Sequence, residues 1–355
     1  WNLYNFRKDL ISSLVKKKYE IIIAAPYDKY LNKIVDSDII FYPIYLKKNK
    51  KSFFSDLICL FQFIYIIVKH KPNYSFAYTI KPNIYCSIAT FFAKTKMVNN
   101  ITGLGSTLIK NNYFSKIIFF IYKLSFYKSY KVTFQNKEDM NIFIKKKITN
   151  VDNSILIPGS GININKYKFK IFKNNNFFTF LFVGRLIKDK GIVEFLEAAK
   201  IVKSKTSRKI KFVVLGSHDK NNPNTIDLEY FNSFIDKEII NYMGFNDSPI
   251  PIISESNCVV LPSYREGLSR SLLESMALGK PIITTNVAGC NELVKEDSNG
   301  LLCNVQDKND LALKMLSILS LNMEEIIKMG EKGKKIIQDE YSNEIVLKKY
   351  LQILV

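Results

Sequence analysis

Histidine is almost missing from this chain, with only His70 and His218 among 355 residues. That argues against a Ser-His-Asp triad and against a multi-histidine metal site. Cysteine is sparse and scattered. Cys59, Cys86, Cys258, Cys290 and Cys303 make no CxxC pair, which disfavours a disulfide framework or a zinc cluster and fits a reducing cytoplasm. With 14 Gly and 10 Pro the composition is neither collagen-like nor linker-like. No uninterrupted apolar run reaches the ~18 residues of a spanning helix, and no basic–apolar–small signal segment opens the chain at Trp1. Acidic residues are also short, 32 Asp+Glu against 52 Lys+Arg, for a net charge of +20.

What is present is 47 % hydrophobic residues, enough chain for two domains with real cores. The charge is lopsided. Residues 1–170 hold 28 Lys+Arg and 9 Asp+Glu (+19), and the remainder holds 24 and 23 (+1). Aromatics interleave with the lysines of the first half, but no nucleic-acid module accompanies them, so nucleic acid is not an expected partner. Two stretches there are unusually apolar. Phe53–Val68 reads as a core helix in preference to an interfacial one. Tyr113–Tyr130, interrupted by Lys116, Lys123 and Lys128, reads equally as a core helix or as an interfacial helix on an anionic membrane.

Strand-like and helix-like segments alternate in both halves. In the first, Ile21–Ala25, Ile39–Tyr45, Tyr74–Tyr78, Lys131–Phe134 and Ile155–Ile157 read as strands. In the second, the strands are Phe178–Val183, Lys211–Leu215, Ile240–Met243, Cys258–Pro262 and Pro281–Thr285. Helices over Gly191–Lys203, Leu228–Asp236, Ser269–Leu278 and Lys308–Leu319 separate them. This alternation predicts an α/β fold of two doubly wound parallel sheets. The expected domains are 1–165, 166–340 and a C-terminal helix over 341–355 returning to the first, with a linker over Lys166–Asn176. A helix over Trp1–Tyr19 placed directly before a strand leads us to expect a missing first strand. Ligands of such sheets bind at the carboxyl ends of strands, so two facing sheets would hold the active site between them.

The second half carries the chemistry. The strand ending at Val183 delivers Gly184-Arg185 and then Lys190-Gly191 at the head of a helix. Glycine allows close backbone approach, and an Arg fork with a Lys point charge suits a diphosphate. The next strand to matter ends at Pro262. Beyond it come Glu266, a helix start near Gly267 or Leu268, and Glu274 about two turns in. Free amides at a helix N-terminus form an anion site, and flanking carboxylates accept paired bonds from sugar hydroxyls. Singly, Glu266 is a first-turn helix residue and Glu274 a surface one. Together with the upstream Gly, Arg and Lys they describe a site. Asp36-Ser37-Asp38 forms a D-x-D, read here as a chance turn away from these motifs.

Glu266 and Glu274 enclose seven residues, and this E-x7-E pattern resembles that of the family-four retaining glycosyltransferases with the GT-B fold. Gly184-Arg185, Lys190-Gly191, Ile157-Pro158-Gly159-Ser160-Gly161-Ile162-Asn163, Ala288-Gly289-Cys290-Asn291-Glu292 and Asn299-Gly300-Leu301-Leu302 resemble further stretches of that family. Thr79-Ile80-Lys81-Pro82-Asn83 and Ile101-Thr102-Gly103-Leu104-Gly105-Ser106 resemble its members that build bacterial lipid-linked oligosaccharides, such as N-acetylgalactosaminyltransferases.

The resemblance implies a donor site in which Arg185 and Lys190 hold the diphosphate and Glu274 the ribose hydroxyls. Glu266 would contact the donor sugar, and the amides of Gly267, Leu268 and Ser269 the distal phosphate. Gly184 would let the ligand approach, and Gly216 and Phe245 would lie in loops edging the base. On the acceptor side it points to Thr79, Lys81, Gly103 and Gly105. Many members carry a histidine facing the donor sugar, and here Thr79 or Lys81 stands in that region. The implied partners are a nucleotide-sugar donor with uracil as base, a polyprenyl-diphosphate-linked saccharide acceptor and the anionic inner membrane surface. The implied place is the cytoplasmic face of that membrane, in surface-polysaccharide synthesis. No cofactor and no metal is expected, since fixed charge at Arg185, Lys190 and a helix N-terminus meets the leaving diphosphate. Two readings compete with it. One is another GT-B enzyme, a sugar-nucleotide epimerase or soluble synthase. The other is a non-enzymatic basic membrane-binding protein.

Overall fold

A computed structural model describes residues 1–34, 38–46, 53–105, 108, 112–167, 177–220 and 222–354. Asp36 and Ser37 of the D-x-D, Ser106, and residues 168–176 of the expected linker lie outside them.

The chain opens with α1 (Asn2–Lys16), β1 (Ile21–Ala25), β2 (Ile39–Pro43), α2 (Phe53–His70), β3 (Tyr74–Tyr78) and α3 (Ile80–Ala89). It continues through β4 (Lys96–Ile101), α4 (Tyr113–Ser125), β5 (Lys131–Phe134), α5 (Lys137–Lys145) and β6 (Ser154–Leu156). Next come β7 (Phe178–Val183), α6 (Ile192–Lys205), β8 (Ile210–Leu215), α7 (Leu228–Asp236), β9 (Asn241–Tyr242) and α8 (Ile250–Glu255). The last elements are β10 (Cys258–Leu261), α9 (Arg270–Ala277), β11 (Ile282–Thr285), β12 (Gly300–Cys303), α10 (Lys308–Ser320), α11 (Met323–Glu340) and α12 (Asn343–Ile353). Two compact units result, Trp1–Gly161 with Asn343–Val355, and Ile162–Ser342.

The first unit holds a four-stranded parallel sheet, β3-β4-β5-β6, and a separate parallel pair, β1-β2. The helix α12 returns to this unit, where Val346, Tyr350 and Ile353 pack with Val98 and Ile157. Strand β4 is invisible to hydrophobic patterning because Asn99 and Asn100 sit in its middle, residues that disfavour strands. Both are fully buried and tied into a polar network. Asn83 Nδ2 donates to Asn100 O at 3.0 Å and Asn99 Nδ2 to Ser87 Oγ at 2.9 Å. Thr133 and Tyr350 hydroxyls donate to Asn100 Oδ1 at 2.7 and 2.9 Å. Tertiary hydrogen bonds thus replace the apolar packing that strand patterning looks for.

The second unit holds a six-stranded parallel sheet in the order β12-β11-β10-β7-β8-β9. Its core is a continuous apolar cluster that includes Phe180, Phe182, Phe195 and Phe212. Sequence reading missed β12, a short strand at the sheet edge, and α11. The latter starts at a capping box in which Asn322 accepts from the Glu325 amide and Glu325 from the Asn322 amide. Tyr167, expected in the linker, is instead 5 % exposed within this core.

Candidate active site

In the six-stranded sheet the strand order reverses between β7 and β10. Helices leaving neighbouring strands toward opposite faces leave a crevice at such a switch point. The two motif loops follow these two strands, Gly184-Arg185 after β7 and Pro262 to Gly267 after β10.

Hydrogen bonding runs past the strand ends through glycines. The Gly184 amide donates to Leu215 O at 3.0 Å, and the Gly216 amide to Gly244 O at 2.8 Å. A Cβ on Gly216 would collide with the Gly184 carbonyl. At Gly184 a Cβ would make only ordinary contacts with Phe182 and Leu261, so packing inside the chain does not demand glycine there. Beyond β9, Phe245 projects with 57 % exposure. His218 is held by its own loop, its Nε2 3.1 Å from Ile226 O.

Arg185 is exposed and makes no ion pair with a described residue. Lys190 differs, because its ammonium pairs with the Glu266 carboxylate, the two side chains being 21 % and 12 % exposed. Ser263 Oγ lies 2.8 Å from Glu266 Oε1 and 3.0 Å from Asp189 O. The Tyr264 amide donates to Asp189 O at 2.8 Å. These bonds stitch the 188–190 turn to the 263–266 loop. From the other side the Ala288-Gly289 loop clamps it. The Glu266 amide donates to Ala288 O at 3.1 Å and the Ser269 amide to Gly289 O at 3.0 Å. A Cβ on Gly289, at φ 75°, would collide with the Glu266 carbonyl.

Two sequence expectations are corrected here. The helix begins at Arg270 with Ser269 as its N-cap, not at Gly267 or Leu268. Glu266 and Gly267 therefore belong to a loop, and Glu274 is the fifth helical residue. The Ser269 amide, expected to cradle phosphate, is engaged by Gly289 and is not available for it. The orphan amides of this helix instead begin at Arg270.

Glu274 is set by two residues that the sequence did not flag. Its Oε1 accepts from Tyr167 Oη at 3.0 Å and from Arg270 Nε at 2.8 Å. Burial first, and Glu274 next, push the Tyr167 hydroxyl well above its ordinary pKa. Burial works against the Arg270 charge, but Glu274 and then Tyr167 outweigh it and raise its pKa. Among the described residues Glu274 Oε2 has no protein partner. The i, i+4 spacing of Arg270 and Glu274 was readable as a helix pair; Tyr167, over a hundred residues away, was not.

In the first unit the acceptor candidates lie at the carboxyl ends of neighbouring strands. Thr79 follows β3, exposed and with φ 69° and ψ 166°, a region that residues with a side chain avoid. Gly103, at φ 123°, and Gly105, at φ 68°, follow β4. The Leu104 amide between them donates to the buried Asp139 at 3.2 Å. Lys81 is a less suitable candidate, since its ammonium is 2.6 Å from Asp56 of α2.

Comparison with known proteins agrees with this geometry. Residues 163–336 match the family model described as Glycosyl transferases group 1. The chain is 27 % identical to the N,N'-diacetylbacillosaminyl-diphospho-undecaprenol alpha-1,3-N-acetylgalactosaminyltransferase of Campylobacter jejuni, over 99 % of this chain and 95 % of that protein. It is 26 % identical to the capsular polysaccharide biosynthesis glycosyltransferase CapM of Staphylococcus aureus, over 95 % and 90 %. Among solved structures, Anabaena Alr3699/HepE in complex with UDP superposes with a TM-score of 0.79 at 17 % identity, covering 98 % of this chain and 96 % of that one. Two parallel α/β sheets, the motif loops at the switch point and these similarities together make the chain a member of the group 1 (GT4) glycosyltransferases, with the GT-B fold and a distant kinship to bacterial lipid-linked-oligosaccharide N-acetylgalactosaminyltransferases.

Proposed function

We propose that this protein moves a hexose or N-acetylhexosamine, with retention at the anomeric carbon, from a UDP-sugar to a polyprenyl-diphosphate-linked saccharide in surface glycan synthesis. The observation that carries the reading is the convergence of Arg185, the Lys190–Glu266 pair and the braced Glu274 at one switch point. The relatives named above supply the acceptor class, because the first of them acts on a diphospho-undecaprenol substrate by its name.

In this reading Glu274 Oε2 accepts from the vicinal ribose hydroxyls, while Oε1 stays on Tyr167 and Arg270. Gly216 and Phe245 border the base. Arg185 and Lys190, with the amides that open α9, face the diphosphate. Positive charge already in place where the leaving oxygen becomes negative lowers the barrier without reorganisation. The anomeric C–O bond to phosphate breaks, and UDP leaves with the electron pair. The acceptor oxygen bonds on the same face of the resulting oxocarbenium-like centre. The acceptor proton passes to the departing phosphate, so no side-chain base is needed. Glu266, held by Lys190 and Ser263, orients the sugar hydroxyls, and Thr79, Gly103 and Gly105 border the acceptor.

The test is a screen of radiolabelled UDP-sugars against lipid-diphosphate saccharides with EDTA present, for the wild type and for Glu274→Ala and Lys190→Ala. Transfer of one sugar, retained in EDTA and lost in both variants, is expected. A wild-type protein that neither transfers sugar nor binds UDP would refute the reading and shift weight to the non-enzymatic alternative.

A further inference from the structure

One charge in the first unit is buried without an anion. Arg7, in the second turn of α1, is 5 % exposed. Its guanidinium carbon stands 4.3 Å from the ring centroid of Tyr78, the last residue of β3. Its Nη1 is buried with no hydrogen-bond partner, and among the described residues no carboxylate pairs with it. The one acid of α1, Asp9, accepts from Asn343 Nδ2 at 2.8 Å. An arginine cannot shed its proton, so the charge stays in place. The face of an aromatic ring attracts a cation but offers no oxygen to the N–H fork. An enclosed cation without a counter-charge destabilises the fold that holds it.

The guanidinium adjoins a second source of unmatched positive charge. Thr79, which follows Tyr78, is the N-cap of α3, and its side chain makes no capping bond. The first turn of α3 carries no acid. The amides of Ile80 and Lys81 have no acceptor within a helix, and among the described residues they find none outside it. The Lys81 ammonium is already matched to Asp56. From Leu57 to Lys137 the sequence contains no Asp or Glu, so β3, α3 and β4 bring no carboxylate to this corner. Tyr78 pairs in register with Asn100 of β4, and the loop carrying Gly103 and Gly105 leaves the sheet at that next strand. Thr79 itself is held at φ 69° and ψ 166°, and backbone strain of this kind gathers at ligand sites.

We propose that Arg7 and the N-terminus of α3 together bind a phosphate group, which in the proposed reaction belongs to the diphosphate of the lipid-linked acceptor. The guanidinium presents its N–H groups as a planar fork. The helix amides, with the dipole behind them, approach from a second element. A phosphate has oxygens on several sides and takes both sets of donors at once. A carboxylate has two oxygens in one plane and satisfies one set only. Binding therefore supplies the counter-charge that Arg7 lacks, and it stabilises the unit as it does so. Identification with the acceptor rests on the lipid-linked-acceptor reading above; the phosphate site does not.

The experiment is titration calorimetry of the full chain with inorganic pyrophosphate and with geranyl diphosphate, each in saturating UDP so that the donor site is filled. The variants are Arg7→Met, Arg7→Lys and Thr79→Asp, the last setting a carboxylate at the same helix N-terminus. Melting temperatures with and without pyrophosphate are read on the same samples. The wild type should take up a single equivalent of either probe. Arg7→Met and Thr79→Asp should each bind at least about tenfold more weakly, with Arg7→Lys in between. Without pyrophosphate, Arg7→Met should melt no lower than the wild type, because it removes an uncompensated charge. Pyrophosphate should raise the melting point of the wild type and leave that of Arg7→Met unmoved. A merely structural arginine would behave oppositely: Arg7→Met would melt lower with no anion present, and Arg7→Lys would bind pyrophosphate as well as the wild type does. That pattern, or a wild type that binds neither probe beside UDP, would overturn the proposal. So would transfer to a lipid-linked acceptor by Arg7→Met at an unchanged acceptor KM, which would leave the acceptor reading standing. Arg7-dependent probe binding in a protein that transfers no sugar would uphold the site and count against the acceptor reading alone.

Discussion

The bracing of Glu274 makes a prediction that separates structure from catalysis. Arg270 and Glu274 meet at 2.8 Å with side chains only 25 % and 16 % exposed. At that distance and an effective dielectric constant near 20, the gross attraction is about 6 kcal/mol. Desolvation of both ions consumes much of it. Removing one partner still leaves the other charge enclosed and uncompensated, at a cost of about 3 kcal/mol. Glu274→Gln and Arg270→Met should therefore each lower the melting point of the second unit by roughly 6–12 °C. The double variant should fall little further, giving a coupling energy of about 2–3 kcal/mol. Differential scanning calorimetry supplies the stabilities and isothermal titration the UDP affinities. Glu274→Gln should also weaken UDP binding by at least about tenfold, or ~1.4 kcal/mol. Tyr167→Phe, which leaves the ion pair but removes a charge-assisted bond, should cost about 1.5 kcal/mol in stability. In turnover it should raise KM for the donor more than it lowers kcat. Additive single-variant losses would refute the argument, since they would mean that the pair is solvated and that Glu274 needs no bracing.

Other expectations follow from single observations. Lys280 is 1 % exposed, donates to Ser254 O at 2.7 Å, and has its pKa pushed down to about 8 by burial. Between about pH 8 and its ordinary value near 10.5, the unfolded chain holds a proton there that the folded chain has released. Wild-type stability should therefore rise with pH across that window by up to ~3 kcal/mol relative to Lys280→Met, as read from urea unfolding at several pH values. Gly216→Ala drives a methyl into the Gly184 carbonyl and should cost at least about 2 kcal/mol and abolish UDP binding; an unchanged melting point would contradict it. Asn100→Leu strands the Thr133 and Tyr350 hydroxyls and the Ala77 carbonyl. It should cost about 3 kcal/mol despite the added apolar volume, measured by the denaturant midpoint. Thr79→Gly relieves a conformation at φ 69° and should raise stability by about 1 kcal/mol. If that strain serves the acceptor, turnover should fall as the melting point rises.

Much of the fold could be read because strands such as Phe178–Val183 and Cys258–Leu261 are short, almost wholly apolar and bounded by Gly or Pro. Those are the signals of a strand buried on both faces of a parallel sheet. Where polar side chains are buried the reading failed, as at Asn99 and Asn100, because the hydrogen-bond partners that make such residues tolerable come from other elements. The segment Ser269–Leu278 matched α9 to within a residue, but the motif reading that began it near Gly267 or Leu268 was two to three residues early. The turn residues Glu266, Gly267 and Leu268 can also begin a helix, and the bond from the Ser269 amide to Gly289 that holds them in a loop is long-range.

The sequence by itself determined the parallel α/β class, the uneven charge and the spacing of Arg185, Lys190, Glu266 and Glu274, because strand burial, net charge and helical repeat are properties of neighbouring residues. It also showed that 53–68 and 113–130 are too interrupted to span a bilayer. Only the tertiary structure decided that Lys190 is matched to Glu266, that Tyr167 and Arg270 brace Glu274, and that Lys81 is engaged by Asp56. It alone also decided which apolar side chains of α2 and α4 are left outside the core. The reason is one of distance along the chain. Each of these outcomes, apart from the helical Arg270–Glu274 pair, joins residues that no local pattern relates, and burial is assigned by what packs against a face rather than by the face's own composition.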